Sequence, residues 1–161
     1  MKERILTSLL TVFVISGIQA QAPSPVPKLV VGLPIDQLRA DYIEAFSALY
    51  GERGFKRLLK EGRIYTNAEY DFINVDRSSA TASIYTGTTP YYNGIPSNRW
   101  MDRGSLRIIK SVDDQDFMGV YTSESSSAKL LRCSTLSDEL KVATQGRAEV
   151  YSIAPTREMA I

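Results

Sequence analysis

The chain has 161 residues, 43% of them hydrophobic and 23% charged, with a formal net charge of +1. That length suffices for one domain with a sizeable core, and the composition is globular. Near-neutral charge excludes the basic footprint that nucleic acid requires and any steering toward anionic membranes, and the absence of histidine excludes a Ser-His-Asp triad, a Cys-His pair or a His-based metal cage built from this chain alone.

The first residues read as an export signal. Lys2 and Arg4 form a short positive region, weakened slightly by Glu3; Ile5 to Ile18 is largely apolar; Ala20-Gln21-Ala22 is a small-x-small cleavage site. The alternative is a membrane anchor, but the apolar run falls short of the ~20 residues a spanning helix needs. Residues 1–22 are therefore expected to be a signal peptide, leaving an exported chain, periplasmic or extracellular, with no stable membrane span. Loss of Lys2, Glu3 and Arg4 would leave acidic and basic side chains in equal number. Residues 23–28, with Pro23, Pro25 and Pro27, read as an extended linker.

Lys28 to Ile35 is apolar without alternation, which predicts a strand of a parallel sheet covered on both faces. Asp36 follows at its carboxyl end, where ligands of open α/β sheets bind. From Leu38 the period becomes helical through Tyr42, Ile43, Phe46 and Leu49, with Gly51 as a stop. A second helix carries Phe55, Leu58 and Leu59 and ends at Gly62. Arg63 to Tyr70 alternates like a strand, and Asp71 to Arg77 is a loop. Ser78 to Thr86 is dominated by small residues and predicts a short, closely packed helix stopped by Gly87. Thr89 to Trp100 is rich in turn residues. Asn98 to Met118 reads as irregular, with one short strand at Leu106 to Ser111.

Ser123 to Ser127 reads as a flexible polar surface loop. Ser134 or Thr135 can cap a helix from Leu136 to Thr144, with Asp138 and Glu139 in its first turn and Gly146 past its end. Ala148 to Ile153 is the next expected strand. Cys133 is the only cysteine, so the chain forms no internal disulfide; Leu130, Leu131 and Leu136 nearby suggest a small buried residue. The order of elements argues an α/β fold with a mostly parallel sheet and helices on both faces. Met159-Ala160-Ile161 follow a strand without a closing helix, so residues 29–161 are expected to be the N-terminal part of a larger domain.

Two charged groups stand out besides Asp36. Asp76-Arg77 can fix its loop as an ion pair, or Arg77 can itself hold a phosphate or sulfate. Asp113, Asp114 and Asp116 read as a solvated acidic loop rather than a calcium site, since the EF-hand glycine and closing glutamate are missing.

Three segments carry a resemblance. Val31-Gly32-Leu33-Pro34-Ile35-Asp36-Gln37-Leu38-Arg39-Ala40-Asp41-Tyr42 resembles the opening strand of type I phosphodiesterase/nucleotide pyrophosphatase-like proteins of the alkaline phosphatase superfamily. Ala82-Ser83-Ile84-Tyr85-Thr86-Gly87-Thr88-Thr89-Pro90 resembles the helix after their nucleophile. Asn93-Gly94-Ile95-Pro96-Ser97-Asn98-Arg99-Trp100 resembles the loop that follows. The spacing of the three matches without gaps, and the resemblance extends over residues 29 to 161.

The resemblance implies an alkaline-phosphatase-like domain that hydrolyses phosphoric esters with two zinc ions, its partner a small phosphate-ester molecule. Two cations clamp the attacking and leaving oxygens, and a Thr or Ser at a helix N-terminus, which favours phosphate, attacks phosphorus. It implies a metal-ligand role for Asp36. The nucleophile position, counted without gaps, is Arg77, which cannot attack phosphorus; the family's histidine position is Thr81. Ser78 or Ser79 would serve if the loop shifted, or both are helix-capping residues. Asn98 matches the asparagine that donates to a phosphoryl oxygen, or is a turn residue. Arg157 lies near a phosphate-binding Lys-x-Arg of some relatives, although the ungapped position is Glu158. The remaining metal ligands would come from segments later than Ile161. Two functions stay open: a metal-dependent phosphoric ester hydrolase that is inactive as this chain, or a non-catalytic exported relative that uses the fold for binding or assembly.

Overall fold

Small residues set the centre of this fold. The run Arg77-Ser78-Ser79-Ala80-Thr81-Ala82-Ser83 lets neighbouring backbones approach closely, and the helix it forms is the one that others pack around. The computed structural model describes residues 26–161; the expected signal peptide and the first part of the linker, residues 1–25, lie outside the described residues. Residues 26–30 are exposed, and Val31–Ile161 form a separate unit.

Helix α1 spans Ala40–Ala45 and continues into a 3-10 turn at Ser47–Leu49. Helix α2 spans Phe55–Glu61 and stops at Gly62 as expected. Helix α3 spans Arg77–Thr86 and ends on Gly87 in the left-handed conformation, φ 67°. The short α4, Pro90–Asn93, starts with proline in its first turn and ends on Gly94, φ 83°. Helix α5 spans Leu136–Ala143 and α6 spans Arg157–Ala160. Helix α3 packs against α4, α5 and α6.

Among the described residues, four strands form two antiparallel pairs. β1 (Arg99–Asp102) pairs with β2 (Arg107–Lys110), with Trp100 opposite Ile109. The connecting turn is tied by Asp102, whose Oδ2 accepts from the Ser105 amide at 2.8 Å and its hydroxyl at 2.6 Å. β3 (Asp113–Met118) pairs irregularly with β4 (Ser125–Ser126). The 98–118 region is thus more ordered than its sequence suggests, and the serine-rich loop contributes a strand.

Three expected strands do not appear as strands. Arg63 to Tyr70 alternates, but a turn at Thr66-Asn67 interrupts it. Val31 to Ile35 and Ala148 to Ile153 run without any ladder partner among the described residues. Their apolar side chains lie open: Val31 is 76% exposed, Leu33 78% and Ile153 98%. A parallel strand is held by neighbours on both sides, and the described ladders are antiparallel pairs elsewhere. The strands expected at Lys28 to Ile35 and Ala148 to Ile153, and the parallel sheet they would join, are not formed among the described residues.

Among the described residues, Ile95 and Val112 are the buried hydrophobic side chains, beside Ser78, Ser79, Asn93, Ser111 and Asp114. The core is a polar knot between the start of α3, the α4–Gly94 corner and the 111–114 segment. Asn93 is fully buried; its Nδ2 donates to the Thr88 carbonyl at 3.2 Å and its Oδ1 accepts from the Ile95 amide at 2.9 Å. Cys133 is half-buried, less enclosed than its leucine neighbours suggest.

At α5 the capping residue is Thr135, not Ser134. Its hydroxyl accepts from the Asp138 amide at 3.2 Å while Asp138 Oδ2 accepts from the Thr135 amide at 2.8 Å, a reciprocal capping box. Replacing Thr135 with alanine removes the first of these bonds. The expected loss is about 1 kcal/mol of stability, measured by urea denaturation against the unaltered chain.

Candidate functional site

Asp36 sits in a turn just past the extended Val31–Ile35 segment, followed by Gln37 at φ 58°. Its carboxylate meets the first residue of α3. Arg77 donates to Asp36 Oδ2 from both Nε, at 3.1 Å, and Nη2, at 3.0 Å. The two side chains keep 37% and 43% of their exposure, so the pair adds little to stability. It does fix where both groups point.

Asp76 does not pair with Arg77. It is the N-cap of α3: its Oδ1 accepts from the Ser79 amide at 3.0 Å, while the Ser79 hydroxyl accepts from the Asp76 amide at 2.9 Å. Its Oδ2 accepts from the Ser97 hydroxyl at 2.7 Å and the Asn98 amide at 2.6 Å. One carboxylate therefore joins the helix start to the loop that precedes β1. Burial works to raise its pKa, but the hydrogen bonds from Ser97, Asn98 and Ser79 outweigh it and hold the carboxyl below its ordinary 3.8. Sequence reasoning missed this role. The signal was available as an Asp three residues before Ser79 at the head of a helix.

The two serines after Arg77 are inside the knot. Ser79 is fully buried and its hydroxyl also bonds to the Asn74 carbonyl at 3.0 Å. Ser78 Oγ lies 2.8 Å from Ser111 Oγ, with both residues buried. Asn98 is half-buried, and its Oδ1 accepts from the Ser78 amide at 2.9 Å. Asp36, Arg77, Ser78 and Asn98 are thus brought together around the first turn of α3.

Arg157 is engaged elsewhere. Its guanidinium bonds to Asp113, to Glu124 at 2.9 Å, to Ser126 Oγ at 3.0 Å and to the Ser125 carbonyl at 3.3 Å. These contacts fasten α6 to the β3–β4 pair. Asp113, Asp114 and Asp116 lie on β3 rather than in a solvated loop. The Asp114 side chain is buried, and accepts from Ser127 Oγ at 2.6 Å and Lys129 Nζ at 3.1 Å. The Ser127 bond leads in lowering its pKa, and Asp114 with Asp116 raises that of Lys129.

A pair of zinc ions does not fit these residues. Among the described residues no three His, Cys, Asp or Glu side chains converge to hold a metal ion, and the sequence has no histidine. The one carboxylate in position, Asp36, already receives two guanidinium N–H groups on one oxygen.

A family model described as type I phosphodiesterase / nucleotide pyrophosphatase matches residues 30–149. The alkaline phosphatase PhoV of Synechococcus elongatus is 40% identical over 131 residues, which cover 80% of this chain and 24% of that protein. The alkaline phosphatase PafA of Elizabethkingia meningoseptica is 35% identical over 153 residues, 91% of this chain and 28% of that protein. The crystal structure of wild-type PafA superposes with a TM-score of 0.81 at 32% identity, covering 84% of this chain and 27% of that one. The alkaline-phosphatase-like α/β fold expected from the sequence is therefore shown, and the chain spans about a quarter of the length of the curated relatives it matches. A mutant PafA structure, with a TM-score of 0.80, carries replacements at a threonine and at an asparagine 21 positions later; Arg77 and Asn98 are also 21 positions apart.

Proposed function

The chain belongs to the type I phosphodiesterase / nucleotide pyrophosphatase family, and from that premise we propose that it is the phosphate-facing N-terminal part of an exported phosphoric ester hydrolase domain which, as a chain of 161 residues, does not turn its ester over. Phosphoric ester hydrolysis is the chemistry named for its alkaline phosphatase relatives. The observation that carries the second half is Arg77. It stands where the resemblance puts the nucleophile, and the shared 21-position interval to the asparagine supports that correspondence. A guanidinium has no lone pair to attack phosphorus.

In this reading Ser78 and Ser79 are structural: Ser79 belongs to the helix cap and Ser78 bonds to Ser111, and neither is free to attack. Asn98 is the residue that faces a phosphoryl oxygen, and Arg77 can add a charged donor to the same anion. Arg157 serves α6 rather than the ester. The ligand class is a small phosphate ester, and the location is the periplasm or the cell exterior. Two zinc ions remain what the resemblance implies for complete family members, not what this donor set provides.

The Asp36–Arg77 pair also favours a second reading, a non-catalytic relative that binds without hydrolysing. Both readings make the same first prediction. The purified chain, supplied with zinc, is expected to release p-nitrophenol from p-nitrophenyl phosphate no faster than a metal-free control. Turnover above that control, lost on replacing Ser78 or Ser79 with alanine in a folded sample, would restore a serine nucleophile.

A further inference from the structure

The residues around Asp36 disagree with the metal centre the family resemblance implies, and the disagreement has its own logic. Asp36 Oδ2 receives two N–H donors from one edge of the Arg77 guanidinium. This is the side of the carboxylate that faces α3. Arg77 is not loosely placed there. It is the first residue of a helix fixed on either side, by the Asp76–Ser79 capping box and by the Ser78 amide on Asn98 Oδ1. The guanidinium is planar and offers its donors to the carboxylate in a fixed fork.

We infer that Arg77 is a built-in cation that takes the place of a metal ion at Asp36 and excludes one. The inference rests on the reading of Arg77 as the occupant of the nucleophile position. Exclusion acts in two ways. A divalent ion on Asp36 Oδ2 would have to displace the two N–H donors, and one on either oxygen would stand beside a positive charge, which repels it. The remaining donors do not compensate, because no cluster of three acidic or cysteine side chains surrounds the site among the described residues. The segment is consequently assembled without metal: its positive charge is covalently part of α3.

Zinc titration of the 15N-labelled 161-residue chain tests this, read at the backbone amides of Asp36, Gln37 and Ser78. The unaltered chain is expected to show no saturable shift at these amides. Arg77→Thr removes the cation and is expected to give a zinc-dependent shift at Asp36 and Gln37 that saturates within the concentration range where the unaltered chain shows none, through loss of one like charge. The double variant Asp36→Asn with Arg77→Thr is expected to lose it again. Arg77→Gln, neutral and a good helix former, repeats the test if the threonine disturbs α3, with far-UV circular dichroism reporting the helix. Saturable zinc binding by the unaltered chain that Asp36→Asn abolishes would overturn the inference. So would failure of both neutral variants, folded, to gain zinc, since the guanidinium would then not be what excludes it. Hydrolysis by the chain would instead overturn the proposed function, and is read in a separate assay.

Discussion

Replacing Asp76 with alanine is expected to lower the stability of this chain by about 3 kcal/mol. The sum has identifiable parts. Loss of the N-cap on α3 is worth about 1 kcal/mol. The Ser97 hydroxyl and the Asn98 amide, at 2.7 and 2.6 Å from the carboxylate, lose their acceptor in a half-buried place, at about 1 kcal/mol each. For a domain of this size that corresponds to a fall in Tm of about 10 °C. Asp76→Asn separates the parts: its amide oxygen can still cap, but its NH2 then faces two other donors. Thermal melts of the three proteins, followed by far-UV circular dichroism, should rank them with asparagine between the parent and alanine.

The same residue makes part of the stability depend on pH. Its carboxyl is held below 3.8 in the folded chain, so the unfolded chain binds that proton more readily. The contribution is present in full above the unfolded value and is lost as pH falls through the folded one. The gap between the parent and Asp76→Ala should therefore be widest near neutrality and narrow below pH 3.8. A gap that stays constant down to the acid transition would show that the charge of Asp76 plays no part.

Gly94→Ala is expected to cost about as much by a different route. Gly94 has φ 83°, where an L side chain is strained by about 1–2 kcal/mol. A Cβ built there would also lie 2.8 Å from the Leu130 carbonyl oxygen and 2.9 Å from Arg132 Cγ. The carbonyl belongs to backbone that cannot easily retreat, because the Arg132 amide donates to the Asn93 carbonyl at 3.0 Å. Overpacking adds about 1–3 kcal/mol, for a total of about 3 kcal/mol. Gly87 is the internal control. It has φ 67° and nothing within 4 Å of its added Cβ, so Gly87→Ala should show the backbone strain alone. Urea denaturation of both variants measures the contact with 130–132 as the difference; equal losses would remove that contact from the account.

The helices of this chain are legible in its sequence because their signals are local. The apolar spacing of Phe55, Leu58 and Leu59 marks α2, and Gly87 and Thr135 stand at the ends of α3 and α5 as the sequence suggests. The family resemblance at residues 31–42, 82–90 and 93–100 led correctly to the fold. What the sequence hides depends on partners far along the chain. β3 has no apolar alternation to announce it, and Asp114 looks solvated until Ser127 and Lys129 arrive 13 and 15 residues later. Asp76 and Arg77 look like a pair because they are adjacent, yet successive residues at a helix start point apart. One turned to the helix and its loop, the other reached 41 residues back to Asp36.

The open Val31–Ile35 segment bears finally on self-association. Nothing among the described residues forms a ladder with it. Its backbone N–H and C=O groups remain an unguarded edge beside exposed Val31 and Leu33, the arrangement on which chains pair with copies of themselves.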